Sequence, residues 1–145
     1  MKKTYLFAGL AAIAILLAGC QELIGTFSAS INGTAWQAGA FGAVKTGNQY
    51  IITATKDHAT LVITIPGTSV GTYTINPMDT TLDALLYTPD YDSTSNFYLS
   101  TQGSIDLTKV ATNRVTGTFN VWAKNSHTST DSISITGQFS NILSN

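Results

Sequence analysis

The stretch PDYDSTSNF places oxygen-bearing side chains at alternate positions, which is one way to build a cation site. Asp90, Asp92, Thr94 and Asn96 offer the ligand type that calcium prefers. The stretch lacks the glycine and the bidentate glutamate of an EF-hand, and predicted strands flank it instead of helices. We therefore predict a solvated hairpin loop, with Asp90, Asp92 and Asn96 as weak metal candidates and with no resident metal or other cofactor.

The same carboxylates raise the question of a glycoside hydrolase, which needs two acids about 5–10 Å apart across a sugar cleft. No other feature that we weighed in the sequence supports that reaction. The two histidines, His58 and His127, fall in predicted turns far apart in the chain, without a second metal ligand beside them. We therefore predict a protein that is not an enzyme, and we assign no catalytic residue.

Aromatic side chains give better candidates for a binding surface. Alternation in VTGTFNVWAK places Trp122 on the polar face of its strand, and the same pattern places Tyr98 on the polar face of another. Such rings stack on sugars or pack against a second protein, unless they only cover a second layer or a sheet edge. Trp36, in GTAWQA, is a third ligand-binding candidate, although its position better fits a core or plug residue.

The lone cysteine stands at the end of the apolar N-terminal run, in LLAGCQE. Lys2 and Lys3 precede the run and small residues close it, which is the layout of a secretory signal peptide. The run of about 14 residues is shorter than the ~20 that a spanning helix needs. Residues 17–20, LAGC, resemble the bacterial lipobox, whose cysteine is acylated before cleavage on its amino side. We therefore predict a signal peptide over residues 1–19 and lipid attachment at Cys20.

Acylation at Cys20 has consequences for the rest of the chain. Two or three acyl chains, with roughly 0.8 kcal/mol for each buried methylene, anchor a protein almost permanently. Residues 20–26 then form the acylated cysteine and a linker that reaches only about 20 Å. Residues 27–145 remain as a single β-domain that stays close to its membrane.

The charge of the mature chain argues against a nucleic-acid partner. Cleavage before Cys20 removes two of the seven basic residues and none of the eight acidic ones, which leaves a net charge of −3. Nucleic-acid binding requires a clustered positive surface instead. The polar positions are mostly Thr, Ser, Gly and Asn, a composition common among exported β-proteins.

Alternation with a period of two residues recurs along the mature chain and predicts half-buried antiparallel strands. VTGTFNVWAK and DSISITGQFS each divide into one apolar and one polar face, and Asn32-Gly33 and Asp57-His58 mark hairpin turns. Further short strands are predicted in GTYTIN, ALLYTP, NFYLST and GSIDLT. The sequence therefore predicts an all-β domain of about nine or ten short strands, either an antiparallel sandwich or a calycin-like up-and-down barrel.

The order of several segments resembles a family of small lipoproteins, mainly from Bacteroidetes, that is classed as a domain of unknown function. The segments that carry the resemblance are FSASINGTAWQA, GTYTI, GSIDLTK, VTGTFNVWAKN and DSISITGQFSNI, and they span residues 27–142. The resemblance implies a lipid-anchored β-domain exposed in the cell envelope. It brings no established activity, cofactor or catalytic residue.

Together these features predict an outer-membrane lipoprotein with a non-enzymatic binding or structural role. Its partners are the membrane, through the lipid, and a glycan or an envelope protein. The periplasmic and the cell-surface side both remain open, because only Glu22 supplies an acidic residue just after the acylated cysteine. The alternative is a calycin-like carrier of a small apolar ligand, and a glycan hydrolase is a weaker third hypothesis.

Overall fold

A computed structural model of the protein describes residues 25–76, 84–92 and 96–145. Every regular element in these ranges is a strand, and the ten strands, β1 to β10, are Thr26–Ile31, Thr34–Gln37, Ala40–Thr46, Gln49–Lys56, Ala59–Ile65, Gly71–Ile75, Leu85–Thr88, Tyr98–Ala111, Arg114–Asn125 and Ser132–Leu143. The described ranges include no helix with the length and hydropathy needed to cross a membrane. The predicted signal peptide, Cys20 and the linker up to residue 24 lie outside these ranges. The first described strand, β1, begins at Thr26.

The strands form one antiparallel sheet that curls into a half-barrel. Its order is β2-β1-β10-β9-β8-β7-β5-β4-β3, and β6 pairs with β8 beside β7. Most neighbours are joined by hairpins, as in an up-and-down barrel. The all-β class and the number of strands are therefore confirmed, and the single half-barrel sheet is closer to the predicted up-and-down barrel than to the predicted sandwich.

The two edge strands of the sheet, β2 and β3, are joined by only two residues, and this link brings the edges together. The amide of Ala38 donates to the carbonyl of Phe27 in β1 at 3.4 Å, whereas the next amide, of Gly39, donates to Thr55 in β4 at 2.8 Å. Further along β3, Ala43 forms a parallel bridge with Ser144, which follows the end of β10. The chain thus crosses from one edge to the other within two residues.

Alternation gave the correct faces of β9 and β10. In β9 the buried positions are Val115, Gly117, Phe119, Val121 and Ala123, and in β10 Ile133, Ile135 and Phe139 lie inside. The polar residues between them face outward, where hydroxyl and amide groups stay hydrated. The sheet therefore has one dry inner face and one polar outer face.

The inner face is filled by aromatic rings. Phe27 and Phe119 stack with ring centroids 5.7 Å apart, and Trp36 meets Phe27 edge to face at 6.2 Å. Phe119 extends over Gly137, and Phe139 extends over Gly117, where a side chain would occupy the same space. Aromatic rings that pack directly over glycines leave little empty space, which gives the dense packing typical of protein interiors.

Strand β8 differs from the prediction. NFYLST and GSIDLT were expected to be two short strands, but they form one strand of 14 residues, and β9 and β10 have 12 residues each. Two register shifts against β9 interrupt β8, between Ser100 and Gln102 and between Leu107 and Lys109. Each inserts one extra residue and reverses which side chains face inward, because side chains alternate with a period of two.

The turn between β1 and β2 provides a test of backbone geometry. Asn32 and Gly33 have φ angles of 49° and 80°, as a tight hairpin requires. We expect Gly33→Ala to cost about 1 kcal/mol of unfolding free energy, because a Cβ is strained at positive φ. Gly42→Ala is the matched control: both sites face open space, but Gly42 has no positive φ. Urea unfolding of both variants measures the difference, and equal losses would contradict this explanation.

Candidate functional site

Trp122 lies on the outer face of β9, near the strand's C-terminal end. Its side chain is 47% exposed, and Gln102 of β8 and Ser134 of β10 are its partners across the sheet. A shallow groove surrounds the ring, and it is lined by Thr101, Gln102, Trp122, Lys124 and Ser132. The prediction that Trp122 stands on a polar face is confirmed.

The first bulge in β8 lies directly beside this groove. Ser100 pairs with Ala123 and Gln102 pairs with Trp122, so Thr101 is the extra residue. The Thr101 hydroxyl donates to the Trp122 carbonyl at 3.3 Å, which ties the bulge to the strand that carries the indole. Bulges often redirect a side chain, and here Thr101 becomes part of the groove wall.

The same bulge overturns the prediction for Tyr98. Counting back from the buried Ile105 and Leu107 by strict alternation places Tyr98 on the outer face, but the extra residue at Thr101 turns it inward. Tyr98 packs against the hydrophobic core and lies 6.2 Å, between ring centroids, from Tyr87. The expectation that Tyr98 and Trp122 lie on polar faces together is therefore wrong, and the two rings occupy opposite faces of the sheet.

The hydroxyl of Tyr98 donates to the Asp131 carboxylate at 2.8 Å. Its pKa is raised above the usual value: the Asn125 side chain lowers it, but the hydrogen bond to Asp131, partial burial and the negative charge of Asp131 outweigh that effect. Burial raises the pKa of Tyr87, and Tyr98 raises it further. Both phenols are therefore neutral at physiological pH, so they act as hydrogen-bond donors.

Asn125 organises the loops beside Tyr98. Its side-chain oxygen accepts hydrogen bonds from the amides of His127 and Thr128, and its amide nitrogen donates to Asn96. Asn96 therefore belongs to this network. The interactions fix the loop between β9 and β10 next to the end of β9 that carries the groove.

The third aromatic candidate, Trp36, is a core residue. It is only 7% exposed and packs on Phe27. Its burial agrees with the core position that its sequence context favoured, and it leaves the indole little surface for a ligand that approaches from solvent.

Asp90 and Asp92 lie next to His58, a contact that the sequence did not predict. His58 Nδ1 lies 2.8 Å from Asp92 Oδ2, and the His58 ring stacks on Tyr91 with centroids 5.3 Å apart. The Asp92 amide in turn donates to Asp90 Oδ1 at 3.0 Å. All three ligand-type residues are exposed, and Thr94 lies outside the described residues. Exposed ion pairs contribute little stability, so this contact mainly orients two loops.

Gly67-Thr68-Ser69-Val70-Gly71 matches the Gly-x-Ser-x-Gly pattern of a serine-hydrolase nucleophile, so our sequence-based statement that this pattern is absent is wrong. In such enzymes the serine sits on a turn from a strand to a helix. Here the segment joins strands β5 and β6, and the Ser69 carbonyl accepts a hydrogen bond from the Tyr73 hydroxyl at 2.7 Å. The pattern therefore marks a turn that Tyr73 closes.

The histidines have other partners than Ser69. His58 contacts Asp92, and His127 Nδ1 lies 2.9 Å from the hydroxyl of its neighbour Ser126. In the described ranges no carboxylate orients His127 as the acid of a catalytic triad orients its histidine. The described contacts of the two histidines are therefore with Asp92 and Ser126 and not with Ser69.

Comparison with known proteins places the whole β-domain in one family. No curated protein and no solved structure gives a significant match to the chain. The profile of a domain of unknown function, DUF6252, matches residues 25–143, which begin just before β1 and end with β10. Because this match covers most of the sequence, the chain belongs to the DUF6252 family.

Proposed function

We propose that this protein is a lipid-anchored outer-membrane protein that binds a glycan, without catalysis, through the groove around Trp122. The exposed indole among polar side chains is the observation that supports this function. A sugar ring has an apolar face that stacks on an aromatic ring and hydroxyls that need hydrogen-bond partners at its rim. Trp122 supplies the first, and Thr101, Gln102 and Ser132 supply the second.

The surroundings of Trp122 favour a glycan over a protein partner. Hot spots of protein interfaces are clusters in which large apolar side chains are packed together and desolvated. In the part of the chain that the structure describes, the other exposed large apolar side chains, which are Val44, Val70, Tyr91 and Leu143, are not among the residues that line this groove. A single ring with hydroxyl, amide and ammonium groups around it better matches a sugar.

The predicted anchor and the groove would stand at opposite ends of β10. Gly25 lies next to Asn141 and Ile142, and Thr26 pairs with Ser140, whereas Ser132 lines the groove. Eight residues separate Ser140 from Ser132, or about 25 Å of strand. A lipid on Cys20 would therefore hold the groove away from the membrane, on whichever side of that membrane the domain stands.

The two other hypotheses fit the described residues less well. A calycin-like carrier needs space inside its barrel, but Phe27 and Phe139 are fully buried and pack the interior with Phe119. A glycosidase places its two acids on either side of a sugar cleft. Asp90 and Asp92 instead belong to one exposed turn.

Replacing Trp122 tests the proposal. We expect Trp122→Ala to weaken polysaccharide binding about tenfold, because it removes the stacking surface while the inner face stays intact. Affinity electrophoresis of purified protein in gels that contain polygalacturonate, mannan or dextran measures the dissociation constants.

Tyr91→Ala is the matched control for this experiment, since Tyr91 is an exposed aromatic residue, 51% accessible, outside the groove. It should bind like the unaltered protein. Equal weakening by both substitutions, or unchanged binding by Trp122→Ala, would refute the proposed groove. Capture of an envelope protein that depends on Trp122, without binding to any polysaccharide, would replace the glycan with a protein partner.

A further inference from the structure

Lys124 is the one charged residue among those that line the groove, and its positive charge affects which ligands the groove can bind. Lys124 lies two residues from Trp122 on the same outer face of β9, about 7 Å along the strand. We infer, on the basis of the proposed glycan-binding function, that the groove selects glycans that carry anionic groups, such as the carboxylates of uronic acids or sugar phosphates. A sugar stacked on Trp122 places its substituents within reach of the flexible Lys124 side chain.

Lys124 has no acidic partner of its own among the described residues, where the one ion pair joins His58 and Asp92. It pairs across the sheet with Leu99 on one side and with Ser132 on the other, and neither carries a charge. Its ammonium group is therefore free to bind an anion. A charge-assisted hydrogen bond of this kind is stronger than one between neutral groups.

The acidic residues that lie closest along the chain to groove residues form hydrogen bonds with other groups. Asp131 precedes Ser132, but its carboxylate accepts the hydroxyl of Tyr98, which belongs to the inner face. Asp106 lies four residues along β8 from Gln102, or about 13 Å, and accepts a hydrogen bond from Thr72. Lys124 pairs with Leu99, which lies still farther along β8 from Asp106, so the two backbone positions are separated by more than the Debye length of ~8 Å at physiological ionic strength.

Screening also explains how a chain with excess negative charge can bind an anion. Three of the eight acidic residues of the whole chain, Asp57, Asp90 and Asp92, lie in the described ranges and do not line the groove. Beyond a Debye length their repulsion is weak in salt. Selection by Lys124 would therefore be local, and it would weaken as the salt concentration rises.

Pairs of polysaccharides that differ only in charge test this inference. Polygalacturonate is compared with its methyl ester, and phosphomannan with neutral mannan, by affinity electrophoresis of purified protein. We expect the protein to bind each anionic polymer about three- to fivefold more tightly than its neutral counterpart, as one exposed charge pair allows. Lys124→Gln should abolish that preference, and added NaCl should reduce it. A preference for one anionic polymer alone identifies the carboxylate or the phosphate as the group that is bound.

Lys109→Gln is the matched control, because Lys109 is exposed on the same outer face, opposite Thr116, but outside the groove. It should keep the preference for anionic polymers. If Lys124→Gln retains the preference, or Lys109→Gln loses it equally, the inference fails even though Trp122→Ala still weakens binding. If Trp122→Ala changes the binding of no polymer, the proposed function itself fails.

Discussion

The Cys20→Ser variant, expressed behind a signal peptide whose cleavage does not depend on acylation, should leave the membrane fraction almost completely and appear as soluble protein in the envelope extract. The serine hydroxyl does not receive the lipid, and without acyl chains the described domain has only its polar outer face to offer the bilayer. Because each methylene contributes about 0.8 kcal/mol, loss of even one chain shifts the partition by many orders of magnitude. Sedimentation of membranes after a high-salt wash, together with incorporation of labelled palmitate, measures the change.

Gln21→Ser is the matched control for this experiment, because it introduces serine at the neighbouring position and keeps the thiol. It should remain in the membrane fraction and incorporate label. Two results would overturn the predicted anchor. One is an unaltered protein that takes up no palmitate, and the other is a Cys20→Ser variant that still sediments with the membranes.

The faces of β9, and of β10 as far as Phe139, were predictable because these segments obey one local rule. From Val115 to Ala123, apolar or small residues occupy every second position, and both neighbouring strands have compatible patterns. The hairpin at Asn32-Gly33 was predictable for a similar reason, since few residue pairs tolerate two successive positive φ angles. In both cases the deciding interaction is encoded within a few residues.

Tyr98 shows where local rules fail. One inserted residue at Thr101 reverses the face of everything before it in β8, and no sequence signal marks that insertion. The bulge depends on how β8 fits against β9 and β7, which lie elsewhere in the chain. The contact between His58 and Asp92 is equally non-local, because 34 residues separate them and the pairing of β5 with β7 brings their loops together. Such features depend on the assembled sheet.

The groove at Trp122 combines both kinds of information. Alternation predicted the exposed indole and the outward direction of Lys124, but the wall at Thr101 results from the bulge. The aromatic residues therefore have two roles, in the core and on the surface, and amino-acid composition alone does not show which residue has which role. Trp36 and Tyr98 pack against the inside of the sheet, whereas Trp122 faces solvent.

The packed interior on which this geometry depends is most sensitive at Gly137. A Cβ there would overlap the Phe119 ring at Cζ and the backbone carbonyl oxygen of Ser28 in β1. Neither the buried ring nor the paired strand has room to move. We therefore expect Gly137→Ala to lower the unfolding free energy by about 2–3 kcal/mol, as overpacked cores typically do. Urea unfolding with a constant m-value measures the loss, and Gly42→Ala, at an open position of β3, should change stability by less than about 0.5 kcal/mol.

A second substitution tests whether overlap with the Phe119 ring or overlap with the Ser28 carbonyl causes the loss of stability. Phe119→Leu removes the ring carbon at the point of overlap and should by itself destabilise the core, because it leaves a cavity beside Phe27. The double variant Gly137→Ala, Phe119→Leu should then lose less stability than the two single losses added together, because the new methyl group occupies part of that cavity. Strict additivity would show that the overlap with the Ser28 carbonyl dominates. A Gly137→Ala variant as stable as the unaltered protein would contradict the packed interior, and with it the argument that binding occurs on the outer face.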